Sequence, residues 1–452
     1  MVSRKYKRLN ARVWAVAIDA AIVAIAAGLL LFSCAPKGEP LSSVIIGSWQ
    51  GALVIQGRTL VVVVHFEKDG KARMDIVSTG SGGSDAAGKS FPLVNVLFRP
   101  PRIDFDLQAG SDLAAFRGKI EGNRIEGSFV QAGQKGTFGL TRSGAEAESQ
   151  PADSGTPVVL QTPTGDIHGS LILPKGDGPF PIVLIISGQG AMDRNGNIAD
   201  VHVRNNCLEL LAQALARRGF ASIRYDKRGV GASAAALRPG APLLFTSLID
   251  DAAAWVANLK TDTRFRGVAV LGYGEGALVG MVAARQAGAG AFVSVAGPGE
   301  PAAAILKEQF AGQPIAIRDQ VYHIIDLLSE GKQVSVSGNN LQSLFGSREQ
   351  PFLISKFRFN PQVEIAKLTV PVLIVQGMSD LQTGVFEAEL LHRAAPGSYM
   401  DLIRGMNHVL RDVPRSPQAN LASYANPDLP LDSELINVTS EFLRMALKVP
   451  PP

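Results

Sequence analysis

Strict alternation of apolar and polar residues marks the first third of the chain. Ile103, Phe105 and Leu107 alternate with Asp104 and Asp106, and Phe116, Gly118 and Ile120 alternate with Arg117 and Lys119. A period of two with polar outer positions describes strands with one wet face. Gly122-Asn123 fits a tight turn before Ile125, Gly127 and Phe129, and the unbroken run Val61–Val64 suits a central strand. Residues 45–142 therefore predict a small antiparallel β domain, a meander or a barrel. It offers no His, Cys or carboxylate cluster at ligand spacing, and the isolated His65 and Trp49 read as structural. The function of this domain is not readable from its residues. The small, polar stretch 143–156 cannot bury enough surface to order itself and reads as a linker.

Beyond the linker the texture changes. The apolar run 182–186 ends in Ser187-Gly188-Gln189-Gly190, and a helical period follows from Leu208 to Arg218. A strand at 221–225 leads into Asp226-Lys227-Arg228-Gly229-Val230-Gly231, which reads as a tight charged loop, and 250–260 is helical. A strand at 268–271 runs into Gly272-Tyr273-Gly274-Glu275-Gly276 and then a helix to Ala284. Strands alternating with helices imply a mostly parallel sheet covered on both faces, with its chemistry at the carboxyl ends of the strands.

Three such ends stand out. Gly272 to Gly276 has the flanking glycines of a G-x-S-x-G elbow but a glycine at its centre. Alone, the pattern also suits an anion-binding turn, although the glycine spacing does not fit a dinucleotide fingerprint. Asp380 closes the strand-and-turn segment 372–380, where a carboxylate is often only a helix cap. His408 ends Gly405-Met406-Asn407-His408. Elbow, acid, histidine is the chain order of an α/β-hydrolase triad.

From about 155 to 448 the chain resembles bacterial α/β-hydrolases of the serine aminopeptidase or acyl-esterase kind. The resemblance is carried by Ile185-Ile186-Ser187-Gly188, Asp193-Arg194-Asn195-Gly196, Tyr225 to Gly231, Val375-Gln376-Gly377 with Asp380, and Gly405 to Leu410. It implies an α/β-hydrolase fold preceded by a small antiparallel β domain. It also implies a nucleophile at position 274, Asp380 as acid, His408 as base, oxyanion-hole amides from Gln189 and Glu275, and a helical cap over about 300–365. Related elbows read Gly-His-Ser-Glu-Gly; here Tyr273 and Gly274 replace His and Ser.

Without a hydroxyl at 274 no acyl-enzyme forms there. Three readings follow: a pseudo-enzyme that keeps its pocket for a ligand or partner, a weak hydrolase in which His408 and Asp380 activate a water, or service by Ser187. A different class is an envelope interaction lipoprotein using the β domain, with the second domain as a scaffold. The expected ligands are small acyl esters or peptide-like molecules.

Charge and the N-terminus add a location. The formal net charge of +4 matches the excess of Arg4, Lys5, Lys7, Arg8 and Arg12 over Asp19, so the remainder is formally neutral and a nucleic-acid partner is not indicated. A basic start, an apolar run at 13–32 and Ser33-Cys34 describe a secretory signal over 1–34. Cys34 after a small residue resembles the bacterial lipobox, which implies lipidation of Cys34 and a lipid-anchored envelope protein. The apolar run also has the length for an uncut membrane anchor. The other cysteine, Cys207, reads as a buried core thiol. No C-x-x-C, H-E-x-x-H or EF-hand pattern occurs, so neither metal nor cofactor is implied. Arg194 is a candidate for meeting an acidic substrate group, and 432–447 reads as a capped terminal helix packing on the 157–448 domain.

Overall fold

The computed structural model describes residues 44–449 except 56–57, 78–88, 110–111, 132–133, 143–153, 199–203, 337–338, 414–419 and 421. The N-terminal segment with Cys34 and most of the stretch 143–156 lie outside the described residues.

Eight strands build the first domain: β1 (Gly47–Ile55), β2 (Arg58–Phe66), β3 (Ala72–Val77), β4 (Lys89–Arg99), β5 (Arg102–Ala109), β6 (Asp112–Glu121), β7 (Arg124–Gln131) and β8 (Gln134–Arg142). Each pairs antiparallel with the next, and β1 also pairs with β8, so the sheet closes into a barrel without a free edge. The alternating apolar positions turn inward. Phe105 stacks on Phe116 at 4.9 Å and Phe116 on Phe129 at 4.8 Å, with Phe138 edge-on to Phe105 and Phe116. Trp49 is buried, its indole N–H donating to the Ile45 carbonyl at 2.8 Å. His65 is braced between Ser48 Oγ at 2.8 Å and Asp75 Oδ2 at 2.9 Å, which ties β1, β2 and β3 together.

The second domain is an eight-stranded mixed sheet. Its strands are β9 (Thr156–Thr162), β10 (Gly165–Ile172), β11 (Phe180–Ile186), β12 (Ala221–Tyr225), β13 (Phe265–Tyr273), β14 (Ala291–Val295), β15 (Val372–Gly377) and β16 (Tyr399–Ile403). Their spatial order is β16-β15-β14-β13-β11-β12-β10-β9, parallel from β12 to β16 and antiparallel at the β9–β10 edge. Period two sorts the side chains of β11: Ile182, Leu184 and Ile186 join one core and Val183 and Ile185 the other. Helices α1 (Cys207–Arg217), α2 (Phe245–Thr261) and α3 (Glu275–Ala287) follow β11, β12 and β13 in turn. The core of Ile182 holds Trp255 of α2 and Leu278 of α3, whereas that of Val183 holds Leu211 of α1. Cys207 is buried at the start of α1.

Between β14 and β15 lie α4 (Ala302–Phe310), α5 (Ile315–Ser329), α6 (Asn339–Phe345), α7 (Gln350–Phe357) and α8 (Pro361–Ala366). Leu306, Phe310, Val321, Ile325, Phe345 and Leu353 give this insertion a core of its own, and Phe352 meets Phe245 of α2 edge-on at 5.9 Å. Helix α9 (Val385–Ala394) follows β15. The last helix, α10 (Ser433–Ala446), is capped by Asp432, whose carboxylate accepts from the Glu434 amide. No helix among the described residues is long and apolar enough to cross a membrane.

Candidate active site

The strand order reverses at β11. From β11 the chain moves outward to β12, then returns to the other side as β13. The carboxyl ends of β11 and β13 therefore flank a topological switch point, where open α/β sheets place their ligands. Gly188 follows β11 and Gly274 follows β13.

Gly274 is the single residue between β13 and α3, with φ 55° and ψ −125°. L side chains adopt that region only under strain. The bend closes tightly because both flanking positions lack a β carbon. A carbon on Gly272 would fall 2.3 Å from the Gly276 carbonyl oxygen, and one on Gly276 would fall 2.5 Å from that of Ile186. Position 274 is different: among the described residues, and apart from its chain neighbours, a β carbon there would meet within 4 Å only the Gly188 Cα, at 3.6 Å. A side chain fits in that space, at the cost of backbone strain. The first amides of α3 have no partner inside the helix, so Glu275 N–H stands at the helix's positive end beside position 274.

The acid and the histidine come from two further strand ends. Asp380 follows β15, and its Oδ2 is 2.9 Å from His408 Nδ1. Gln376 Nε2 also donates to Oδ2, at 3.2 Å, while Oδ1 accepts from the amides of Gln382 and Thr383. Four donors thus fix the carboxylate, and the carboxylate fixes the imidazole with its proton on Nδ1, leaving Nε2 as the outward acceptor. His408 is 9% exposed, and its Nε2 has no hydrogen-bond partner among the described residues. Asn407 holds the turn that carries it, accepting from the Arg411 amide and donating to Asn420 Oδ1 and Ser423 Oγ. Tyr273 joins the elbow to the histidine: its hydroxyl donates to the His408 carbonyl at 2.9 Å and its ring centre lies 5.2 Å from the imidazole.

Gln189, the second sequence-derived oxyanion residue, is half-buried in the loop after β11, next to Gly188. Ser187 takes no part in the His408–Asp380 pair; its buried hydroxyl donates to the Met192 carbonyl at 3.3 Å. The expectation that Arg194 meets an acidic substrate group is corrected. Its guanidinium donates to Asp226 at 2.7 Å and to Ser170 at 2.9 Å, so Asp226 already holds it.

Residues 203–334, from α1 to the middle of the insertion, match the family model described as serine aminopeptidase, S33. Esterase EstD of Thermotoga maritima is 26% identical over 225 residues, which cover 50% of this chain and 52% of the relative. Residues 203–334 of the chain are thus similar to the serine aminopeptidase family, and part of the chain to an esterase. Only about half of the relative's length is spanned by the match. Among solved structures, Est1E from Butyrivibrio proteoclasticus shares 15% identity at a TM-score of 0.43, covering 65% of this chain and 100% of that one. The esterase domain of a Rhodothermus marinus protein shares 15% at 0.40, covering 64% and 98%.

Three residues beside the candidate site lie beyond the reach of sequence reasoning. Tyr273 carried a signal, since it stands inside the elbow motif where related elbows have histidine. Lys227 belongs to the charged loop after β12, where its residue type signals no contact; it is buried and donates to the Gly188 carbonyl. Lys356 had no local signal. It sits in α7, in the insertion, and reaches the Glu275 carboxylate across 81 residues of chain.

Proposed function

We propose that this protein is an esterase-like α/β-hydrolase that has lost the covalent step. It binds a small acyl ester or peptide-like molecule at the switch point, with no acyl-enzyme at position 274 and at most weak turnover. Asp380 orients His408, and the amides of Gln189 and Glu275 face the acyl oxygen. The observation that carries this reading is Gly274 itself, in a strained elbow conformation with open space where a β carbon would stand. Glycine reaches that conformation more easily than serine, so the replacement removes chemistry and spares the fold. A second reading is favoured by the unpartnered Nε2 of His408: a water lodged in the hydroxyl's place gives it a proton and attacks the ester, at a rate far below that of an acyl-enzyme route. The order of basic segment, apolar run, Ser33 and Cys34 supports export and lipid attachment at Cys34, with both domains held in the cell envelope outside the cytoplasm.

The test uses a fluorophosphonate probe and p-nitrophenyl acetate. Wild type is expected to remain unlabelled, while Gly274→Ser becomes labelled at residue 274 and gains turnover, short of the ~10⁶ that a triad serine is worth in an optimised enzyme. Strong labelling of wild type would place the nucleophile elsewhere and end this assignment.

A further inference from the structure

Lys227 and Lys356 are buried and belong to neither the His408–Asp380 pair nor a surface. Lys227 reaches the backbone of Gly188 and Lys356 the side chain of Glu275, two residues that border position 274. Lys227 follows β12, is 4% exposed, and donates to the Gly188 carbonyl. Lys356 crosses from the insertion and pairs with the carboxylate of Glu275, the first residue of α3; the two side chains are 7% and 8% exposed.

We propose that these lysines are positioning residues for the two backbone donors beside position 274, Lys227 acting through Gly188 and Lys356 through Glu275. The first half rests on peptide geometry. The Gly188 carbonyl and the Gln189 N–H belong to one planar trans peptide and point in opposite directions. Anchoring the carbonyl on Lys227 therefore fixes where the Gln189 N–H points. A β carbon at 274 would also lie 3.6 Å from the Gly188 Cα, so this peptide borders the site. The second half rests on α3. Its first residue supplies the other donor, and that residue's side chain is tied to the cap helix α7 by Lys356. The cap is thereby coupled to the elbow.

Stability alone is a poor explanation for this arrangement. A buried ion pair seldom repays its own desolvation, and a lone buried ammonium on a neutral carbonyl does so even less. The charges sense one another. Burial pushes Lys227 down to about 8, with Lys356 adding to the fall and Glu275 and Asp193 opposing it. Burial alone would raise Glu275, yet Lys356 and Lys227 together hold its carboxyl below the usual range.

The proposal shares one element with the reading above, the assignment of Gln189 and Glu275 as donors facing position 274. Its test therefore has an arm that needs no chemistry at that position. In the full chain with Gly274 retained, hydrogen–deuterium exchange is followed by peptide. Lys227→Met is expected to speed exchange in the 187–190 segment by about tenfold, the equivalent of one lost hydrogen bond. Lys356→Met is expected to do the same in 274–277, and Lys227→Arg to restore slow exchange at 187–190. In the Gly274→Ser background, Lys227→Met is expected to lower kcat by about a hundredfold with KM within about twofold. Unchanged exchange in both segments overturns the proposal, whatever the labelling of Gly274→Ser shows. So does loss of folding in both Met variants, which would assign the lysines to the fold. An absence of turnover in Gly274→Ser with local exchange raised would instead sink the functional reading and leave the positioning role standing.

Discussion

An ammonium group inside a protein gives up its hydration, and Lys227 recovers a bond to the Gly188 carbonyl and the fields of two carboxylates, Glu275 and Asp193, at longer range. Its pKa of about 8, against an ordinary 10.5, makes that cost visible as a pH dependence of folding. Below pH 8 the side chain is charged in both folded and unfolded chains, and its burial opposes folding in full. Between 8 and 10.5 the folded chain sheds the proton while the unfolded chain keeps it, so stability rises with pH. The opposite sign enters from pH 9. Burial holds the Cys207 thiol up to about 12 against 9.0, and the Tyr273 and Tyr424 phenols well above 10.0, so the unfolded chain ionises where the folded chain cannot. Wild type is therefore expected to gain on the order of 1 kcal/mol between pH 8 and 9 relative to Lys227→Met, measured by urea unfolding. Parallel pH curves for the two proteins would show that Lys227 does not titrate there.

At the scale of the element, the elbow is a strand and a helix forced together, and its three glycines have unequal duties. Gly276 lies against backbone: an added carbon would sit 2.5 Å from the Ile186 carbonyl oxygen and 2.6 Å from that of Ser187. Neither oxygen can yield without moving β11. Gly276→Ala is expected to cost about 3 kcal/mol or more, at or beyond the top of the roughly 1–3 kcal/mol of strain carried by Gly274→Ser, and a larger loss in Tm for the serine variant would contradict the elbow described above. This difference in duty explains what the sequence disclosed. The apolar runs at 182–186 and 268–271 and the glycine spacing announced strand, bend and helix, because close backbone approach leaves a mark in residue type. The edge strands β9 and β16 were not announced. Tyr399 to Ile403 is mixed in character and exposed on one side, and β9 starts at Thr156, inside the stretch read as linker. The His408–Asp380 pair followed from chain order, whereas Lys356 did not, because its contact with Glu275 exists only once the insertion has folded back on the elbow.

For the molecule as a whole, the stability of the barrel and that of the mixed-sheet domain rest on their cores. Among the described residues, the barrel's core, from Trp49 through Phe105 and Phe116 to Leu140, contains no residue of the mixed-sheet domain's clusters, and those clusters contain none of the barrel's. Hydrophobic burial is the main source of cooperativity, so separate cores imply separate transitions. Phe116 is the sharpest probe, since it stacks on Phe105 and Phe129 and meets Phe138 edge-on. Truncating a buried phenylalanine removes its transfer energy and leaves a cavity, about 3–5 kcal/mol together. That loss rivals the whole stability expected of a domain near a hundred residues, roughly 5–15 kcal/mol. In calorimetry of the full chain, Phe116→Ala is expected to lower one transition by 10 °C or more, by the ~4 °C per kcal/mol typical of such a domain, and leave the other in place. Introduced with Gly274→Ser, it should leave probe labelling at residue 274 unchanged below the lower transition. If both transitions move together, or labelling falls with the barrel, the barrel takes part in building the site, and the two-core description is the claim to give up.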